Sequence, residues 1–168
     1  MIGLGEKRNF NNKGFTIIEL GLVMAIVGIM ALFMSPALGE WVTGFRMRGA
    51  TKDLTDTLQL ARLKAISTSN QYRVRLNINS GTDTETFVLQ ANDGGWANEG
   101  SSITLPTGVN IDNIDAVTDG TVDRTFNTDG TATGLGGTTS IIYVTNQRND
   151  QYRVIISQTG MVRMSEGW

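Results

Sequence analysis

The chain contains no cysteine and no histidine among its 168 residues. Without cysteine it can form no disulfide, no thiolate metal site and no cysteine nucleophile. The missing histidine removes the commonest general base and the commonest transition-metal ligand. No pattern of a nucleophile beside a base stands out among the other residues. We therefore expect no enzyme, no catalytic residue, no cofactor and no metal site.

Charge is also scarce and nearly balanced. The 14 Lys and Arg residues oppose 16 Asp and Glu residues, which gives a formal net charge of −2. Bulk charge therefore does not favour nucleic acid as a partner. The length of the chain is sufficient for one domain with a modest core and one appendage.

A long apolar run occupies residues 15–38. As a helix its 24 residues would extend about 36 Å at roughly 1.5 Å per residue, enough to cross a hydrocarbon core about 30 Å thick. Basic residues outnumber acidic residues before the run, so the positive-inside rule places residues 1–14 in the cytoplasm and the rest of the chain outside it. The charges concerned are Glu6, Lys7, Arg8 and Lys13.

Such a run is typical of three kinds of N-terminus. A secretory signal would be cut after it, at Ala37-Leu38-Gly39; a plain anchor would stay uncut; a prepilin-type leader would be cut before it. Glu19 distinguishes them, because a carboxylate in the middle of a membrane helix costs about 2.5–3.5 kcal/mol on insertion. Neither a signal peptide nor a plain anchor gains anything from this residue.

The stretch Gly14-Phe15-Thr16-Ile17-Ile18-Glu19 resembles the processing motif of type IV pilins and pseudopilins. The resemblance implies that residues 1–14 are a leader, that a membrane prepilin peptidase cuts after Gly14, and that Phe15 becomes an N-methylated N-terminus. It also implies that Glu19 serves assembly by meeting the amine of Phe15 in its own or a neighbouring subunit. The spacing of four residues would place the two groups on one helix face.

Beyond the apolar run, residues 39–69 predict an amphipathic continuation of the same helix. Pro36 predicts either a kink or a helix break at the membrane surface. Asn70 is a plausible stop. A stripe at spacings of four, three and four residues should pack on a sheet; it consists of Leu54, Leu58, Ala61 and Ala65.

From Tyr72 the period of apolar residues changes to two, which predicts a half-buried strand over residues 72–79 and a return strand over residues 85–91. Gln158-Thr159-Gly160 predicts the turn of a last hairpin. The fold class is therefore α+β, a long N-terminal helix on an antiparallel sheet domain of residues 70–168. Further strand candidates are residues 103–105, 109–114, 124–126, 141–145, 152–157 and 161–164.

The order of these elements resembles the GspH/FimT group of minor pseudopilins, on residues 60–76, 126–144 and 152–164. The resemblance implies a minor subunit of a type II secretion pseudopilus, held in the inner membrane with its globular domain in the periplasm until assembly. The implied partners are other pilin or pseudopilin subunits, the prepilin peptidase and the inner-membrane assembly platform. Two alternatives remain: a minor type IV pilin in pilus assembly or DNA uptake, and a monomeric membrane-tethered binding domain.

Some members of the group bind DNA through a Gly-Arg-x-Arg motif. The matching residues are Gly160, Met161, Val162 and Arg163, so one arginine is replaced by methionine. Without residues 1–14, which carry three basic residues and one acidic residue, the formal charge is −4. Both facts make nucleic acid an unexpected partner. Gly160 and Arg163 are the candidate DNA-binding residues of the motif. Four arginines could still share one surface, although charges on the solvent face of strands are the simpler expectation: Arg73, Arg75, Arg153 and Arg163.

Two further patterns favour ordinary explanations. The glycine-rich stretch 130–137 lacks the Lys of a phosphate-binding loop, which favours a flexible connection between strands. The aspartates between residues 112 and 129 match no calcium-loop spacing. They are expected to form a solvated face and are Asp112, Asp115, Asp119, Asp123 and Asp129.

Overall fold

The computed structural model describes residues 14–78 and 85–167, without the side chains of residues 32–38, 40 and 113. The chain divides into two units, Met1–Glu40 and Trp41–Trp168. One helix, α1 (Ile17–Thr68), contributes to both. The helix continues through Pro36, so the predicted helix break is wrong, whereas the predicted kink stays a prediction.

In the first unit, the described part of α1 has apolar side chains on all sides. Its large apolar residues are about half exposed or more, with Ile17 at 92%. Within the described residues, no helix combines the length and the apolar character needed to cross a membrane. The anchor over residues 15–38 stays a prediction. The exposed residues are Phe15, Ile17, Ile18, Leu20, Leu22, Val23, Met24, Ile26, Val27, Ile29 and Met30.

In the second unit, α1 buries one stripe of side chains. Leu54, Leu58, Ala61 and Ala65 are each at most 1% exposed, so the stripe read from the sequence faces the core. The helix ends at Thr68, and Ser69 has a left-handed backbone with a φ of 52°. This end lies two residues before the predicted stop.

Ten strands follow α1 in the described residues, and they form two antiparallel sheets. Sheet A has the order β3-β2-β1-β6-β7, with β4 also paired to β2, and sheet B has the order β10-β9-β8-β5. Their bounds are β1 Tyr72–Ile78, β2 Thr86–Asn92, β3 Trp96–Asn98, β4 Ile103–Thr104, β5 Val109–Ile114, β6 Gly120–Phe126, β7 Ala132–Thr133, β8 Thr139–Asn146, β9 Gln151–Ser157 and β10 Val162–Glu166.

The core forms because alternate residues of the strands turn inward. In β1, Tyr72, Val74, Leu76 and Ile78 are buried while the residues between them are more exposed. Buried apolar residues of α1 and of both sheets make one hydrophobic cluster, in which Phe87 is among the largest side chains. Such burial contributes about 25 cal/mol per Å² of apolar surface and stabilises the unit.

The α+β prediction is confirmed, and the last predicted hairpin is present. Strands β9 and β10 pair around Gln158-Thr159-Gly160, where the Gly160 amide donates to the Ser157 carbonyl at 2.8 Å. The division into two sheets was not predicted, nor were β3 and β7. The connection between the strands predicted over residues 72–79 and 85–91 lies outside the described residues.

Candidate functional site

The predicted processing site lies immediately before the first turn of α1. Gly14, Phe15 and Thr16 are non-helical, and the helix begins at Ile17. The Glu19 amide donates to Thr16 Oγ1 at 3.2 Å, and the Leu20 amide donates to the Thr16 carbonyl at 3.1 Å. Thr16 is therefore the N-cap of α1. A sequence signal for this cap exists, because Thr followed three residues later by Glu is the pattern of a capping box.

This geometry changes the expected relation between Phe15 and Glu19. Phe15 precedes the N-cap, whereas Glu19 is the third helical residue. In the uncut chain the four-residue spacing therefore does not place both groups on one helix face, because that rule applies when both residues are helical. For the cut chain, the expected pairing of Glu19 with the amine of Phe15 stays a prediction. Glu19 lies in the first turn, where its negative charge also favours the helix through the macrodipole.

Gly14 has no structural reason to be glycine in the described fold. A Cβ atom added there would meet nothing within 4 Å. The next residue, Phe15, is 85% exposed and packs on no core. A requirement for a small residue at position 14 would therefore have to come from a partner that approaches this backbone closely.

Gly160, the first candidate DNA-binding residue, is a glycine for packing reasons. Its φ is +76°, and an added Cβ would lie 1.9 Å from the Gly130 carbonyl oxygen. Arg62 of α1 holds the same two turns together, donating to the Gly130 carbonyl at 3.1 Å and the Thr159 carbonyl at 3.3 Å. The backbone of this turn therefore accounts for Gly160 without any nucleic acid.

Arg163, the second candidate, is exposed on β10 and lies opposite Ile155. Beside the same turn, Met161 is 50% exposed, and it lines a groove of about 370 Å³ with Leu63 and Ile66 of α1. The surface next to Arg163 is thus partly apolar. A DNA-binding surface would instead present several cations to phosphates.

Arg153, two residues before Ile155 on β9, lies on the same face of sheet B as Arg163, but the arginines of β1 do not extend this surface. Arg73 and Arg75 lie in sheet A, and both contact Asp123, at 2.8 and 2.9 Å. Arg73 also lies over the ring of Trp96, 4.1 Å from its centroid. Burial acts to raise the pKa of Asp123, but the hydrogen bond from Arg75 and the charges of both arginines hold that pKa below its usual value. These cations are therefore already paired with a carboxylate.

A second ion pair joins the two sheets. Arg124 of β6 has a side chain only 4% exposed and donates to Asp115 at 2.7 Å. It also donates to Ser140 of sheet B at 2.9 Å and to the carbonyl of Gly134 at 2.5 Å. A signal existed in the sequence, because Arg124 has the same alternation phase as the buried residues of β6.

Asp115 completes this cluster on the other side. It accepts the amides of Gly136 at 3.1 Å and Ile141 at 2.9 Å. Burial acts to raise the pKa of Asp115, yet these hydrogen bonds and the charge of Arg124 keep that pKa below its usual value. The glycine-rich stretch therefore surrounds an internal ion pair and contains β7, so it is more than a flexible connection.

The prediction of a solvated face is wrong for Asp115 and Asp123, because both are half-buried and paired with arginines. It holds for Asp112, Asp119 and Asp129, which are exposed. Across residues 14–78 and 85–167, no group of three or more acidic side chains is arranged to hold a metal ion.

Solved structures show the class of protein that this fold defines. The minor pseudopilin EpsH from the Type 2 Secretion System of Vibrio cholerae matches with a TM-score of 0.54 and 16% identity, covering 72% of this chain and 97% of EpsH. The type IV minor pilin FimU of Pseudomonas aeruginosa matches with a TM-score of 0.52 and 15% identity, covering 70% of this chain and 91% of FimU. The fold is therefore that of a minor pilin or pseudopilin.

The family follows from a sequence comparison. Residues 50–160 match the family described as Type II transport protein GspH. Because this match covers more than half of the chain, the chain belongs to that family. No curated protein matches significantly. The chain thus has the role of a minor pilin-like subunit, which assembles with other pilin or pseudopilin subunits.

Proposed function

We propose that this chain is a minor subunit of a type II secretion pseudopilus, made as a precursor whose residues 1–14 a prepilin peptidase removes. Phe15 then becomes the N-methylated N-terminus. Until assembly, residues 15–38 hold the subunit in the inner membrane with its globular unit in the periplasm. There it meets the assembly platform and the other subunits.

The exposed apolar surface of the first half of α1 carries this proposal. Its large apolar side chains are exposed and are not packed against other described residues. A helix that is apolar on all sides requires an apolar environment. A lipid bilayer provides that environment before assembly, and the helices of neighbouring subunits provide it afterwards. The unexplained glycine at position 14 supports cleavage by a protease that needs close access to the backbone.

The processing step can be tested by intact-mass spectrometry after co-expression with a prepilin peptidase. We expect the chain to lose residues 1–14 and to gain one methyl group on Phe15. Gly14→Ala should still be cut because alanine is small, whereas Gly14→Leu should block cutting. Cleavage after Gly39 would make the chain an ordinary secreted protein and contradict the proposal.

A minor type IV pilin, with or without DNA uptake, is the second candidate. The similarity to FimU, nearly equal to that to EpsH, favours retaining it. The two functions differ in DNA binding, for which the structure offers Arg163 beside the partly apolar groove at Met161. A monomeric membrane-tethered binding domain is the third candidate and would enter no filament.

DNA binding can be measured by fluorescence anisotropy with double-stranded DNA at about 50 and 200 mM salt. We expect weak or no binding by the wild type, and tighter, salt-sensitive binding by Met161→Arg, which restores Gly-Arg-x-Arg. A variant that adds the same charge at the next position, Val162→Arg, is unsuitable as a control. Val162 is only 8% exposed, so the new charge would enter the core. Tight wild-type binding that Arg163→Ala abolishes would favour DNA uptake over secretion.

A further inference from the structure

The side chain that caps α1 lies directly after the proposed cleavage site. The first backbone acceptor of α1 is the Thr16 carbonyl, which receives the Leu20 amide at 3.1 Å. Thr16 Oγ1 receives the Glu19 amide at 3.2 Å, a bond that would otherwise go to a carbonyl one turn earlier. The Gly14 carbonyl, which belongs to the bond to be cut, therefore lies two residues before the first helical acceptor.

We propose that Thr16 is a positioning residue for cleavage between Gly14 and Phe15. Its hydroxyl fixes the start of α1 at Ile17 and so leaves the scissile peptide bond in non-helical backbone. In this hydrolysis one water adds across the bond, giving a carboxylate on Gly14 and an amine on Phe15. The inference rests on the processing proposed above and names a further determinant of it.

Loss of the hydroxyl should move the start of the helix in a defined direction. Valine has the shape of threonine but caps helices poorly, and phenylalanine does not cap them. Glycine caps nearly as well as threonine, so Gly14 is the next capping residue upstream. In Thr16→Val the Ile18 amide would then bond to the Gly14 carbonyl, and the scissile group would become the first helical acceptor. A peptidase that binds its substrate as extended backbone would have to break this bond first.

The test uses the full-length chain in detergent micelles or lipid nanodiscs with a prepilin peptidase, and initial cleavage rates are measured by intact mass. Thr16→Val removes the hydroxyl, Thr16→Ser keeps it, and Thr16→Asn keeps a capping oxygen on a side chain of different shape. We expect Thr16→Val to be cut about five-fold more slowly, the factor typical of a lost cap. Thr16→Ser and Thr16→Asn should stay within about two-fold of the wild type.

Amide hydrogen exchange provides a second readout, which a direct contact between Thr16 and the peptidase would not change. We expect the Ile18 amide to become protected in Thr16→Val while it exchanges freely in the wild type. Equal cleavage of Thr16→Val and wild type would overturn the inference, as would slow cleavage of Thr16→Asn or an unprotected Ile18 amide in a slow Thr16→Val. An uncut wild type would instead overturn the proposed processing itself.

Discussion

Two glycines in the candidate sites are glycines for different reasons. Gly160 has a φ of +76° and contacts the Gly130 carbonyl so closely that no side chain fits. Gly14 has open space around its Cβ position. A glycine that the fold requires says little about function, whereas open space leaves a functional reason possible, and Gly21 and Gly28 have the same open space. The place of Gly14 directly before Phe15 in the motif distinguishes it from them. On this comparison, Gly14 is the better candidate for a functional residue.

Glu19 can act in two ways, and two variants separate them. As a charge it can pair with the amine of Phe15; as the third helical residue it can support the capping of α1. We predict that Glu19→Ala and Glu19→Gln are both inserted and cleaved but enter filaments poorly, because both lack the charge. Immunoblots of purified filaments and of membrane fractions would measure this. Normal filament entry of Glu19→Gln alone would show that capping, not charge pairing, is what assembly requires.

The ion pair of Arg124 and Asp115 should make a large contribution to stability. Arg124→Met leaves the half-buried Asp115 without its cation, and we predict a loss of about 3 kcal/mol in the free energy of unfolding. The exposed pair of Lys52 and Asp56 is the matched control, and Lys52→Met should change stability little. Urea denaturation of a truncated chain starting at Trp41 would measure both. Equal effects would show that the internal pair is not structurally important.

The same pair predicts a pH dependence. Because the folded-state pKa of Asp115 is lowered, its stabilising effect is complete above its ordinary pKa of about 3.9 and is lost as the pH falls through the lower folded value. Asp123 contributes in the same direction. We predict that Asp115→Asn destabilises the chain at pH 7 but flattens the loss of stability below about pH 4. Urea titrations at several pH values would give the free energy of unfolding as a function of pH. If Asp115 were irrelevant, this free energy would fall with the same slope below about pH 4 in Asp115→Asn and in the wild type.

At the scale of the element, the second half of α1 separates a buried face from an exposed one. Leu58 is fully buried, whereas Leu63 on the same helix is 63% exposed. We predict that Leu58→Asp lowers the free energy of unfolding by several kcal/mol, because an unpaired charge enters the core. Leu63→Asp should have little effect. Thermal melts of the chain starting at Trp41 would compare the two variants. Equal melting temperatures for Leu58→Asp and Leu63→Asp would contradict the burial of Leu58.

Regular elements could be predicted from sequence because their signals are local. The stripe from Leu54 to Ala65 and the alternation of β1 follow from spacing alone. Short strands such as β3 (Trp96–Asn98) and β7 (Ala132–Thr133) carry no period, because two or three residues become a strand only through the neighbour that pairs with them. Their pairing depends on contacts that are distant in sequence.

At the scale of the whole molecule, the candidate sites were predictable only where a short motif carried them. Gly14, Phe15 and Glu19 follow from one contiguous stretch. The cluster of Arg124, Asp115 and Ser140 joins three segments that the sequence separates by turns of unknown path. The division of strands between two sheets decides which arginines share a surface, and alternation within a strand contains no information about that division.

The central claim is that the chain becomes a subunit of a filament, and its presence in purified filaments tests this most directly. Filaments purified from the periplasm and from the surface of the native host would be analysed by mass spectrometry, with the membrane fraction as the reference. We predict a minor component whose N-terminus is N-methyl-Phe15 and which is absent from filaments when Glu19 is replaced by Ala. A chain found only in the membrane fraction, with residues 1–14 still attached, would contradict the account and favour a monomeric tethered domain.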